Sequence, residues 1–193
     1  MGCIPSINTK DMNLITVGLD LSLTHTGYAI VRDDGTVLAS GVIKSKPVGD
    51  KPIDETKRIV KIAEDTVQKI DEFCHEDPDL VVIEGLAFMA QGTSLVQLAG
   101  LNYLTRILLA EFGWPFMIVA PSTLKKFITG SGKGDKDMMM LHVYKNYGFE
   151  ALDNNENDAY ALSVCGLATL GSPISKLNKP QEEVITLLKR QLQ

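Results

Sequence analysis

The run Leu80-Val81-Val82-Ile83 puts four apolar residues in a row with no polar alternation, and it ends in Glu84. A strand of that kind has both faces covered, which is the condition of a parallel strand in a sheet packed between helix layers. The rest of the chain has to supply those layers, so the pattern dictates an α/β domain. A chain of 193 residues with 45% hydrophobic content suits one such domain.

The remaining elements follow from periodicity and turn chemistry. Leu14 to Asp20 is a short apolar run, and Gly27 to Arg32 and Thr36 to Ile43 flank Asp33-Asp34-Gly35, a hairpin turn. From Asp54 to Cys74, apolar residues recur at Ile59, Ile62, Ala63, Thr66, Val67, Ile70 and Phe73, the spacing of an amphipathic helix. Asp77-Pro78-Asp79 stops it before the Leu80–Glu84 strand. Thr93 to Phe112 is apolar around most of its circumference, so it needs cover on two sides, from the sheet and either its own domain or a second subunit. Phe116 to Ala120 reads as a further buried strand. Pro121 opens a short helix, a helix from about Lys136 is closed by Gly148, and a buried helix runs from about Glu156 to Leu170. Residues 1–13 read as a disordered leader, 14–172 as the folded domain, and 173–193 as a polar tail in which Glu183 to Leu192 has the spacing of a small amphipathic helix.

Five strands in this order place the first and fourth side by side through a right-handed crossover, giving the strand order 3-2-1-4-5. Asp20 and Glu84 then become neighbours. Asp158, in Asn157-Asp158-Ala159-Tyr160-Ala161-Leu162, joins them if its helix docks across the sheet. Singly, each acid has a structural reading: Asp and Glu cap turns, acids are favoured near helix N-termini, and Asn155 and Asp158 have the spacing of a capping pair. Together, three carboxylates at one sheet edge repel each other unless a cation neutralises them, which points to metal-dependent chemistry.

Composition narrows the partners. The formal charge of −5 excludes a surface coated in basic residues. The basic stretch holds Lys125, Lys126, Lys133, Lys136 and Lys145 against Asp135 and Asp137, around Gly130, Gly132 and Gly134, and reads either as a solvated face or as a nucleic-acid patch. Three cysteines, Cys3, Cys74 and Cys165, show neither disulfide nor zinc spacing. No apolar run approaches the ~20 residues that span a bilayer. The chain is expected to be cytoplasmic, with no membrane partner. Met1-Gly2-Cys3-Ile4-Pro5-Ser6 fits a myristoylation pattern, but no basic segment follows to reinforce it.

Four segments together carry a resemblance: Gly18-Leu19-Asp20-Leu21-Ser22-Leu23-Thr24-His25-Thr26-Gly27-Tyr28-Ala29, Ile83-Glu84-Gly85-Leu86-Ala87-Phe88, Thr129-Gly130-Ser131-Gly132-Lys133-Gly134-Asp135-Lys136 and Asn157-Asp158-Ala159-Tyr160-Ala161-Leu162. In order and spacing, over roughly residues 14 to 170, they resemble the RuvC family of Holliday junction resolvases, its phage-type members more than the bacterial enzyme. The resemblance implies an RNase H-like fold and a homodimer that resolves four-way DNA junctions by paired nicking, leaving 5′-phosphate and 3′-hydroxyl ends. It implies Mg²⁺, with Mn²⁺ an accepted substitute. Asp20 would bridge two ions about 4 Å apart, with Glu84 on one and Asp158 on the other. The family's fourth ligand falls at Asn155, where an amide replaces the usual Asp or His; Glu156 and Asp153 are the alternatives, with Glu156 favoured. Lys136 matches a lysine that orients the scissile phosphate or supports the attacking water. Lys125 and Lys133 match the DNA-facing edge, and Phe88 lies near an aromatic that wedges into the junction, one residue further from the glutamate. His25 is either a neighbour of the metals or a turn residue with Ser22 and Thr24. Three rival readings are an RNase H-like nuclease acting on RNA, a branched-DNA-binding protein that does not cut, and a fragment of an actin-like-fold kinase.

Overall fold

The computed structural model describes residues 13–74, 76–86, 93–133 and 135–192. Five strands, β1 (Ile15–Asp20), β2 (His25–Arg32), β3 (Val37–Lys44), β4 (Leu80–Glu84) and β5 (Phe116–Val119), form a mixed sheet in the order β3-β2-β1-β4-β5. The first three are antiparallel, and β4 and β5 run parallel to β1. This is the predicted strand order.

Helices α1 (Pro52–Phe73) and α2 (Thr93–Glu111) cover one face; α3 (Pro121–Thr129), α4 (Lys136–Tyr147), α5 (Asn154–Leu170) and α6 (Lys179–Leu188) cover the other. The unbroken apolar run of β4 is explained by this sandwich. Val81 and Ile83 enter the core under α1 and α2, while Leu80 and Val82 enter the core under α5. α2 buries Leu101 and Leu109 but leaves Val96, Tyr103 and Ile107 exposed, so its own domain covers only part of its apolar circumference.

α5 lies directly on the sheet backbone, and two glycines permit it. A Cβ on Gly18 would sit 1.9 Å from the Ala159 carbonyl oxygen, and one on Gly27 would sit 2.0 Å from that of Asn155. The contact is locked by buried hydroxyls: Thr16 Oγ1 donates to the Ser163 carbonyl at 2.9 Å, and Ser163 Oγ to the Thr16 carbonyl at 2.9 Å. This close approach carries the start of α5 to the sheet edge where β1 ends.

The C-terminal region departs from the expected polar tail. Its helix starts at Lys179 rather than Glu183, because Asn178 and Gln181 form a capping box. α6 then buries Val184, Ile185 and Leu188 in the core shared with α5. Beyond it, the Gln191 amide donates to the Ile118 carbonyl at 2.8 Å and accepts from Ile118 N at 3.1 Å, which satisfies part of the open edge of β5. The predicted leader lies almost wholly outside the described residues. Among those described, no helix is long and apolar enough to cross a membrane.

Candidate active site

The parallel pairing of β1 and β4 sets Leu19 opposite Ile83, so the next residues, Asp20 and Glu84, end adjacent strands at the same level. Asp158 approaches from the second turn of α5. The three carboxylates line one cavity of about 370 Å³ together with Asn155, Lys125 and Lys136.

Burial and mutual repulsion dominate the electrostatics. Asp20 is pushed up to about 9, first by burial and then by the charges of Glu84 and Asp158, with Lys136 opposing. Glu84 is pushed up to about 7 by burial and by Asp158, against the Asp20 hydrogen bond and the charges of Lys125 and Lys136. Asp158 is raised by burial, offset by a hydrogen bond from Asn157 and by the two lysines. Burial and crowding therefore make the ionised forms of Asp20 and Glu84 costly, so the pair takes up protons more readily than solvated carboxylates do. Among the described residues, no three His, Cys, Asp or Glu side chains stand close enough to grip a cation as they are. Hard carboxylate oxygens, whose charges burial has made costly, are the donor set that suits a hard divalent cation.

The start of α5 separates the candidates for a fourth ligand. Asp153 is the N-cap, its carboxylate accepting from Asn155 N at 2.7 Å, so the helix begins at Asn154 and the Asn155/Asp158 capping pair does not form. Glu156, favoured from the sequence, is buried away from the cavity. Its Oε1 accepts from Ser40 Oγ at 2.7 Å and its Oε2 from Leu152 N at 2.9 Å, so both oxygens are committed to holding α5 against β3 and the preceding loop. Asn155 instead faces the cavity. Its Nδ2 donates to the His25 carbonyl at 2.6 Å, and because that partner is an acceptor the amide orientation is fixed, leaving Oδ1 for a ligand.

The basic residues divide as well. Lys125 on α3 is half-buried, and Lys136, the first residue of α4, is exposed; both line the cavity. Asp135 serves α4 as its N-cap, accepting from Met138 N at 2.9 Å. Lys133 is exposed in the preceding loop, outside the cavity lining, and Phe88 lies outside the described residues. Ser22 and Thr26 close the β1–β2 turn, with Thr26 Oγ1 donating to the Ser22 carbonyl at 2.8 Å, and Thr24 N donates to Ser22 Oγ at 3.3 Å. His25 is exposed at the start of β2 and meets the site through its backbone carbonyl.

One cavity residue was not anticipated. Asn102, 1% exposed on α2, reaches the Glu84 carbonyl with Nδ2 at 3.5 Å, while its Oδ1 has no partner. Its sequence signal is slight, because α2 carries a second amide, Gln97, and nothing in the spacing sets Asn102 apart.

Residues 16–166 match the family described as crossover junction endodeoxyribonuclease RuvC. The chain is 29% identical over 153 residues to the crossover junction endodeoxyribonuclease RuvC of Synechococcus sp. (strain WH7803), covering 77% of this chain and 93% of that protein. It is 31% identical over 158 residues to the RuvC of Anaeromyxobacter sp. (strain Fw109-5), covering 80% and 73%. Among solved structures, Thermus thermophilus RuvC superposes with a TM-score of 0.67 at 21% identity, over 82% of this chain and 98% of that one. The same protein in complex with a Holliday junction substrate gives 0.67 at 19%, over 82% and 97%. At such identity the likeness establishes a shared fold, the RNase H-like arrangement.

Proposed function

The chain belongs to the RuvC family, and from that premise we propose that it is a structure-selective endodeoxyribonuclease that resolves Holliday junctions and other branched DNA in the cytoplasm. The observation that carries the reading is the gathering of Asp20, Glu84 and Asp158 in one cavity with Lys125 and Lys136. An acidic centre rimmed by two cations suits a phosphodiester better than a neutral substrate.

Asp20, Glu84, Asp158 and the Asn155 carbonyl would hold Mg²⁺, two ions per site, with Mn²⁺ able to replace them. Bound there, Mg²⁺ supplies Lewis-acid activation of water and neutralises charge on the phosphate and the departing 3′ oxygen. The chain's own residues do the rest. Because burial and neighbouring charge raise Asp20 and Glu84, a cation held there would favour their ionised forms, and its binding would be accompanied by release of protons to solvent. Lys125 and Lys136 line the same cavity, where their ammonium groups would meet the scissile phosphate and fix its orientation. Asn155, tied to the His25 carbonyl, holds its oxygen in place without adding negative charge.

Paired cuts need two sites. Val96, Tyr103 and Ile107 are exposed at helical spacing along α2, and we assign this stripe to a homodimer interface. Light scattering is expected to show a dimer, and a Tyr103→Asp/Ile107→Asp variant to shift it to monomer.

The reading is tested by incubating the protein and Mg²⁺ with a synthetic four-way junction labelled on each strand. The expected result is symmetric nicks in two opposed strands, religatable because the ends are 5′-phosphate and 3′-hydroxyl. Equal cutting of RNA duplex, or binding without any cut, contradicts it.

A further inference from the structure

A second concave surface adjoins the β1–β2 turn on the side away from the acids. It is a groove of about 440 Å³ between the end of β3 and the first turns of α1, lined by Lys44, Lys46, Lys57, Arg58 and Lys61, with Asp54 the one acid in its lining. Lys61 is paired with Asp65 at 3.0 Å. Lys44, Lys46 and Lys57 are exposed and form no ion pair among the described residues. So local a concentration of positive charge stands out in a chain of net charge −5.

The groove is built onto the active site. The Arg58 guanidinium donates from Nε to Ser45 Oγ at 3.0 Å and from Nη2 to the Leu23 carbonyl, while Ser45 N donates to the Thr24 carbonyl at 2.9 Å. Ser22, at the start of the same turn, lines the acidic cavity. One turn is thus the wall between the two, held to α1 and to the end of β3 by these bonds. Arg58 keeps further N–H donors free for a ligand.

The arrangement suits a repeated anion. Lysines contributed by the end of β3, the loop after it and α1 are strung along an open groove, rather than closing around one phosphate. Its charged lining is mostly lysine ammonium groups on long flexible stems, which meet phosphates as point charges. We propose that the groove binds the sugar-phosphate backbone of a duplex arm leaving the cut site, engaging several phosphates without regard to sequence. The identity of the polyanion as DNA rests on the nuclease reading above.

The test compares wild-type protein with a Lys44→Gln/Lys46→Gln/Lys57→Gln variant, measuring junction affinity against salt in chelator, so that no cutting intervenes, and cleavage separately with Mg²⁺. Each lost phosphate contact lowers the slope of log K against log salt by about 0.9, so the variant's slope is expected to be shallower by about 3. Progressive shortening of the junction arms is expected to flatten the wild-type slope and leave the variant's nearly constant. Wild-type and variant slopes that agree, with arm length acting on both alike, overturn the groove while leaving the nuclease reading intact. Junction binding with the slope difference but no wild-type cleavage overturns the nuclease reading and supports the groove.

Discussion

Asp20 and Glu84 stand side by side one step beyond the Leu19/Ile83 pair of two parallel strands, where burial and neighbouring carboxylate charge push both groups above their ordinary range. The strand pairing sets their spacing, and either protons or a cation can relieve the repulsion that spacing creates, with several expected outcomes.

The first concerns pH. Asp20 sits at about 9 against an ordinary value of 3.8, and Glu84 at about 7 against 4.5. Between those limits the unfolded chain has released protons that the folded one keeps, so the folded state loses stability as pH rises. This contribution is complete below about pH 4 and gone above about pH 9. Thermal melts in chelator are expected to fall across that window, and Asp20→Asn to flatten the trend. Adding Mg²⁺ at the alkaline end should raise the wild-type melting temperature.

Asn155 and Glu156 are neighbours in sequence with different surroundings, the first facing the acidic cavity and the second held by Ser40 and Leu152. Glu156→Ala strands Ser40 Oγ and Leu152 N and is expected to cost about 1 to 3 kcal/mol of stability, with metal affinity little changed. Asn155→Ala should instead raise the Mg²⁺ concentration needed for half-maximal cutting. Urea unfolding and metal titrations of the two variants separate these effects.

Lys136 is exposed at the mouth of the cavity, where it contributes charge and not packing. Lys136→Ala should lower the single-turnover cleavage rate by about 10²-fold, the scale of one lost electrostatic contact to a transition state. Junction affinity should change far less. An unchanged rate would remove this lysine from the site.

Gly18 sets how closely α5 approaches β1. Gly18→Ala forces a methyl group into the Ala159 carbonyl and the Ser163 amide, both backbone, so relief requires the whole helix to shift. The expected loss is about 3 kcal/mol or more, with weakened metal binding because Asp158 moves with the helix. A variant that melts like wild type contradicts this packing.

Much of this was legible in the residues. The unbroken Leu80–Ile83 run demands two helix layers, and the hairpin followed by a crossover fixes the neighbours of β1, so the residues alone place Asp20 and Glu84 together. Which of Asn155 and Glu156 faces the acidic cavity is not legible there, because successive helix residues point about 100° apart and the outcome depends on Asp153 being the cap. The amphipathic spacing of Glu183 to Leu192 marks a helix there, but not that it starts at Lys179 or that Val184, Ile185 and Leu188 are buried. Lys44, Lys46 and Lys57 are dispersed in sequence and form a groove only when β3 and α1 meet.

The most direct test of the central claim is single-turnover cleavage of a four-way junction by wild-type protein and by Asp20→Asn, at matched junction binding and saturating Mg²⁺. Paired nicks from the wild type that vanish in the variant are the predicted result. Cutting by Asp20→Asn at the wild-type rate would show that the three acids are not the nuclease centre.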